Sequence, residues 1–130
     1  MRFPIFAAAL LAFTIGGSGI ADAARRHVAV PNKFDGNWSI EVVTMDGPCE
    51  RAYRYGVQVY RGQAIYPGGD VMINGRVSSV GAVNAVIARG DTAARVVGRL
   101  GTGGTGAGIW QTLGSSPFAC SGRWNAIRRG

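Results

Sequence analysis

Histidine and lysine are almost absent from this 130-residue sequence, His27 and Lys33 being the sole examples. With its one histidine so near the start, the chain from residue 34 onward has no Ser–His or Cys–His pair. The common routes to an activated nucleophile are therefore missing there. Cysteine is limited to Cys49 and Cys120, and no histidine or cysteine cluster has the spacing of metal ligands. Acidic residues stop at Asp91, whereas Arg95, Arg99, Arg123, Arg128 and Arg129 follow it. After residue 33 no stretch of about 11 residues keeps an i, i+3, i+4 apolar face, which predicts a domain without helices. Long hydrophobic runs are also lacking. Phe3–Ile15 is shorter than the roughly 20 residues a helix needs to span a bilayer.

That short run reads instead as an export signal. Arg2 precedes it, Gly16-Gly17-Ser18-Gly19 breaks it, and Ala21-Asp22-Ala23 has the small-x-small form of a signal-peptidase site. Residues 1–23 are thus expected to be a cleaved signal peptide, giving a periplasmic or secreted product with no transmembrane segment. In such a compartment two cysteines predict one disulfide, Cys49–Cys120. Closing a loop of about 70 residues is worth about 4 kcal/mol in the chain-entropy treatment. Residues 24–33 carry Arg25, Arg26, His27 and Lys33 with Pro31 and read as a basic extended arm. Residues 34–130 read as a single domain.

Within that domain the apolar period is two. Trp38, Ile40 and Val42 alternate with Asn37, Ser39 and Glu41, and Tyr53, Tyr55, Val57 and Val59 alternate with Arg54, Gly56 and Gln58. The pattern recurs through Val71–Val77, Val83–Ile87, Val96–Leu100, Gly108–Thr112 and Cys120–Ala126, broken by turns such as Arg61-Gly62 and Arg89-Gly90-Asp91. About eight short strands with short links predict an all-β fold, a small antiparallel up-and-down barrel, with a β-sandwich as the alternative. Each tryptophan stands two residues after a glycine: Gly36-x-Trp38, Gly108-x-Trp110 and Gly122-x-Trp124. Gly36, Gly75, Gly98, Gly108 and Gly122 fall on the expected inner face, where tight coiling of a closed sheet would use them. The same count turns Arg54, Arg76, Arg95, Arg99 and Arg123 outward, and a slip of one residue would bury them all.

Gly101-x-Gly103-x-x-Gly106 matches a dinucleotide fingerprint in letters only. It opens no helix and no acidic residue follows at ribose-binding distance, so it reads as a hairpin loop and no cofactor is expected. Ser78, Ser79, Ser115 and Ser116 sit in turns without a nucleophile-elbow context. Asp35, Glu41, Asp46, Glu50, Asp70 and Asp91 are scattered, which leaves a hydrolase built on paired carboxylates as a remote reading. Core packing is the plainer role for the aromatic residues. Trp38, Tyr53, Tyr55, Trp110 and Trp124 are also the candidates to line a cavity, since an eight-stranded barrel is filled or just holds one small ligand.

Phe34-Asp35-Gly36-x-Trp38, Cys49-Glu50-Arg51-Ala52-Tyr53-Arg54-Tyr55, Gly75-Arg76-Val77 and Ala119-Cys120-Ser121-Gly122-Arg123-Trp124 together resemble a family of short exported proteins of α-proteobacteria. The resemblance spans nearly all of residues 34–129 and implies export and the disulfide, but no activity. More distantly, a Gly-x-Trp on the first strand and an arginine-bearing last strand are similar to the calycin barrels. There the first-strand tryptophan packs at one end of the barrel. The chain lacks the further lipocalin motifs, so that likeness implies no ligand.

The functional expectation is a non-enzymatic exported binding or structural domain. The chain carries a net charge of +7. Its outward arginines are the candidate contacts for an anionic polysaccharide, lipopolysaccharide or envelope surface. No specific nucleic acid is expected. A small-barrel protease inhibitor, with the arm 24–33 entering an enzyme cleft, is the alternative.

Overall fold

Strict alternation of apolar and polar residues gives each segment one face that leaves water and one that keeps it, and eight such segments close on themselves. The computed structural model describes residues 32–114 and 117–130; the expected signal segment 1–23, residues 24–31 of the arm, and Ser115 and Ser116 lie outside the described residues. The strands are β1 (Gly36–Asp46), β2 (Ala52–Tyr60), β3 (Gln63–Ile65), β4 (Met72–Val77), β5 (Ala82–Arg89), β6 (Thr92–Leu100), β7 (Thr105–Thr112) and β8 (Ser121–Arg128). Each pairs antiparallel with the next, and β8 returns to β1 to close a barrel. The sandwich alternative is not adopted.

The register follows the period-two count. Trp38, Val59, Val77, Ala85, Leu100, Trp110, Trp124 and Ala126 are buried, whereas Arg54, Arg76, Arg95, Arg99 and Arg123 are exposed. Arginines on the outer face and apolar residues within reverse the pattern of barrels that cross bilayers. No helix among the described residues is long and apolar enough to cross a membrane.

The two ends differ. At one end, here the base, a hydrogen-bonded belt joins successive turns. Val77 N donates to Gly62 O, Leu100 N to Gly81 O, Arg128 N to Gly104 O and Arg129 N to Asn37 O, all within 2.8 Å. Arg61 and Gly62, at φ 51° and 75°, form the left-handed β2–β3 turn. The Asp35 carboxylate accepts from both of their amides, at 2.9 and 3.3 Å. Phe34 and Trp38 plug this end, with Trp38 Nε1 donating to Phe34 O at 2.8 Å. The Arg128 guanidinium lies 4.8 Å from the Trp38 ring centroid and donates to Lys33 O.

At the opposite end, the mouth, Cys49 and Cys120 are disulfide-bonded with their Cα atoms 6.1 Å apart. The bond ties the β1–β2 connection to the residue before β8. Cys120 N also donates to Thr112 Oγ1, and Thr112 N to Cys120 O, at 2.9 Å each.

The inner glycines have a more specific reason than coiling. Gly108 is the register partner of Trp124, and Trp110 that of Gly122. Each indole lies over the glycine of the opposite strand and reaches a carbonyl beyond it. Trp124 Nε1 donates to Val97 O and Trp110 Nε1 to Val43 O, both at 3.1 Å. A Cβ on Gly108 would stand 2.6 Å from Trp124 Nε1, and one on Gly122 3.0 Å from Trp110 Nε1. The repeated Gly-x-Trp unit is thus a reciprocal pair across β7 and β8, each glycine making room for the other strand's ring.

Candidate functional site

Inward side chains of all eight strands do not fill the barrel. Above the Trp38 plug lies a cavity of about 380 Å³ that reaches the mouth. Its size falls within the roughly 300–1,000 Å³ usual for ligand pockets. The five aromatic residues singled out from the sequence, Trp38, Tyr53, Tyr55, Trp110 and Trp124, all line it. Ile40, Val42, Val57, Ile73, Ile87 and Val96 belong to the remaining wall, whose other members are also nearly all apolar, so the surface offered to a guest is apolar.

Polar groups gather at the mouth. Among the described residues Arg89 is the one charged side chain that lines the cavity, joined by Thr92 and Thr112. Its guanidinium is 3.8 Å from the Asp70 carboxylate in an exposed pair that holds little energy of its own. Tyr53 Oη accepts from Glu50 N at 3.1 Å. The Tyr55 ring stacks on Tyr53, with centroids 6.2 Å apart, and meets Tyr66 edge-on at 5.9 Å. Burial pushes the Tyr55 hydroxyl above its ordinary value while Arg89 opposes the shift, so Tyr55 is a neutral hydroxyl in the physiological range.

The wall is thinnest beside these rings. β3 has only three residues and pairs with β4 through Gln63↔Arg76 alone, next to the base. Toward the mouth, Ala52–Val57 of β2 and Met72–Gly75 of β4 therefore have no strand between them. Residues 66–70 run there instead, and the tyrosine rings replace a hydrogen-bond ladder. Tyr60, in contrast, is exposed on the outside.

Arg89 escaped the sequence reading because Arg89-Gly90-Asp91 reads as a turn. The period-two phase did carry the signal: Arg89 continues the inward series Val83, Ala85, Ile87, and Arg128 continues Trp124, Ala126. These two arginines close the inward series at opposite ends of the barrel.

The five outward arginines do not gather on one stripe. They occupy the alternate strands β2, β4, β6 and β8, and Arg54 is paired with Glu41 at 3.1 Å. None of the six Asp and Glu side chains among the described residues lines the cavity. Asp35 caps the base turn, Glu41 and Asp70 pair with arginines, and Asp46, Glu50 and Asp91 are exposed. Among the described residues no group of three His, Cys, Asp or Glu side chains is placed to hold a metal. The glycine-rich loop is the β6–β7 hairpin, closed by Gly101 N donating to Thr105 O at 2.7 Å.

Comparison of the chain with protein-family models, with curated proteins and with solved structures finds no match in any of the three.

Proposed function

We propose that this protein is a non-enzymatic binding protein that holds a small, mainly apolar molecule inside its barrel. The observation that carries the reading is the cavity itself: about 380 Å³, walled by apolar side chains, with Arg89 at the mouth as the one charged lining group among the described residues. An apolar molecule entering it gains on the order of 25 cal/mol per Å² of apolar surface removed from water. A polar head on the guest would meet Arg89, Tyr55 and Thr92 rather than the hydrocarbon wall.

The apolar fluorophore N-phenyl-1-naphthylamine is a suitable probe. The protein should bind it at one site with a blue-shifted emission, and Ala94→Phe, which places a ring in the cavity, should weaken binding at least tenfold. Ala94 is partly buried against the core and lines the cavity, so the added ring has space to enter. Equal binding by the wild type and a folded Ala94→Phe protein would contradict the proposal. The inhibitor alternative rests on the arm 24–33, of which residues 24–31 lie outside the described residues.

A further inference from the structure

The charged side chains are distributed unequally along the barrel axis. In the mouth half, Arg51, Arg89, Arg95 and Arg123 are matched one for one by Asp46, Glu50, Asp70 and Asp91, and Arg54 pairs with Glu41 between the ends. The base half holds Lys33, Arg61, Arg76, Arg99, Arg128 and Arg129 against Asp35 alone. The Asp35 carboxylate is turned to the Arg61 and Gly62 amides. Side-chain charge therefore cancels over the mouth half, and the net positive charge of the described residues sits at the base.

Apolar groups stand among those cations. Val80 at the tip of the β4–β5 turn is 67% exposed, Tyr60 54% and Ile127 46%, and the Arg61 guanidinium lies 5.5 Å from the Tyr60 ring centroid. The belt of turn-to-turn hydrogen bonds fixes these residues on one end of a closed barrel. Asn32 and Lys33 also lie on this face, and in the sequence they follow Arg25 and Arg26.

We propose that the base is a docking face for an anionic lipid bilayer, with the mouth of the cavity turned away from the membrane. Arginines meet the phosphates of the headgroups, and Val80 and Tyr60 meet the interfacial layer where tyrosine is favoured. A linear polyanion fits less well. The base is an end cap rather than a groove, and a polysaccharide offers nothing to the exposed Val80 and Ile127. Exposed Met45, Met72, Leu113 and Phe118 belong to the mouth half, where charges cancel and an anionic surface exerts little net pull. Docking through the base uses the outer surface alone and does not depend on the cavity being occupied.

Co-sedimentation with vesicles of phosphatidylglycerol and phosphatidylcholine in equal parts tests it, using protein that begins at Ala24, the product expected after signal cleavage. Partitioning should fall steeply with salt. The triple substitution Arg76→Gln, Arg99→Gln, Arg129→Gln should reduce it about a hundredfold, at about 1 kcal/mol per cation near such a surface. Arg51→Gln, Arg95→Gln, Arg123→Gln removes the same charge from the mouth half and should reduce it less than threefold. Val80→Ser should weaken vesicle binding while leaving retention on heparin unchanged. An equal loss in the two triple variants, both verified as folded by thermal unfolding, would show a net-charge effect and overturn the proposal. So would undiminished binding to pure phosphatidylcholine, which would point to the apolar rim of the mouth. Base-dependent binding to heparin without binding to vesicles would overturn it in favour of a polysaccharide.

Discussion

Gly108 and Gly122 show how a single hydrogen atom in place of a methyl group decides local packing. Each lies beneath the tryptophan of the neighbouring strand and against the very carbonyl that the indole bonds, so Gly108→Ala must push away Val97 O as well as the Trp124 ring, and Gly122→Ala must push away Val43 O as well as the Trp110 ring. Overpacking of this kind costs about 1–3 kcal/mol. Urea unfolding of either variant should show that loss. Gly56→Ala is the contrasting case: nothing lies within 4 Å of the added carbon, and its φ is not in the left-handed region. That variant should be neutral or up to about 1 kcal/mol more stable, since alanine is stiffer than glycine in the unfolded chain. A second residue-level test concerns Asp35. Losing its two bonds to the strained Arg61-Gly62 turn leaves that turn without its clamp, and Asp35→Ala should cost about 1–3 kcal/mol by the same measurement.

At the scale of elements, strand phase was legible in the sequence because a half-buried strand must alternate, and a one-residue error would have buried five arginines. Turns written in glycine and proline marked where strands end. The brevity of β3 was legible, because the Arg61-Gly62 turn before it and Pro67-Gly68-Gly69-Asp70 after it leave room only for a short strand around Ala64, Ile65 and Tyr66, and the strand spans Gln63–Ile65. Its consequence, a wall of tyrosine rings between β2 and β4, depends on contacts between strands that no local pattern encodes. The Trp–Gly reciprocity was visible as a repeat but not as a pairing, since register between β7 and β8 belongs to tertiary structure. The disulfide rested on compartment and count, and it is present. It joins residues 71 apart, so Cys49→Ser with Cys120→Ser should lower the unfolding free energy by about 4 kcal/mol, a large part of an ordinary domain's stability. A double variant with an unchanged urea midpoint would show that the mouth is held together by its hydrogen bonds alone.

Taken as a whole molecule, the barrel differs between its two ends. The base is plugged by Phe34 and Trp38, belted by hydrogen bonds and positively charged, whereas the mouth is stapled by one disulfide, neutral in sum and open to an apolar interior. Whether eight strands leave a void depends on the summed volumes of all inward side chains. Ala64, Ala85 and Ala94 among the larger residues are what keep the interior from filling, and no single motif announces that sum. Methyl-resolved NMR of the protein titrated with N-phenyl-1-naphthylamine tests occupation of that void most directly. The inward methyl groups of Ile40, Val42, Ile73, Ile87 and Val96 should shift and show contacts to the probe, while the outward Val86, Val97 and Ile109 stay unmoved. Shifts confined to the outward methyl groups, or no shift at saturating probe, would contradict a ligand-binding interior.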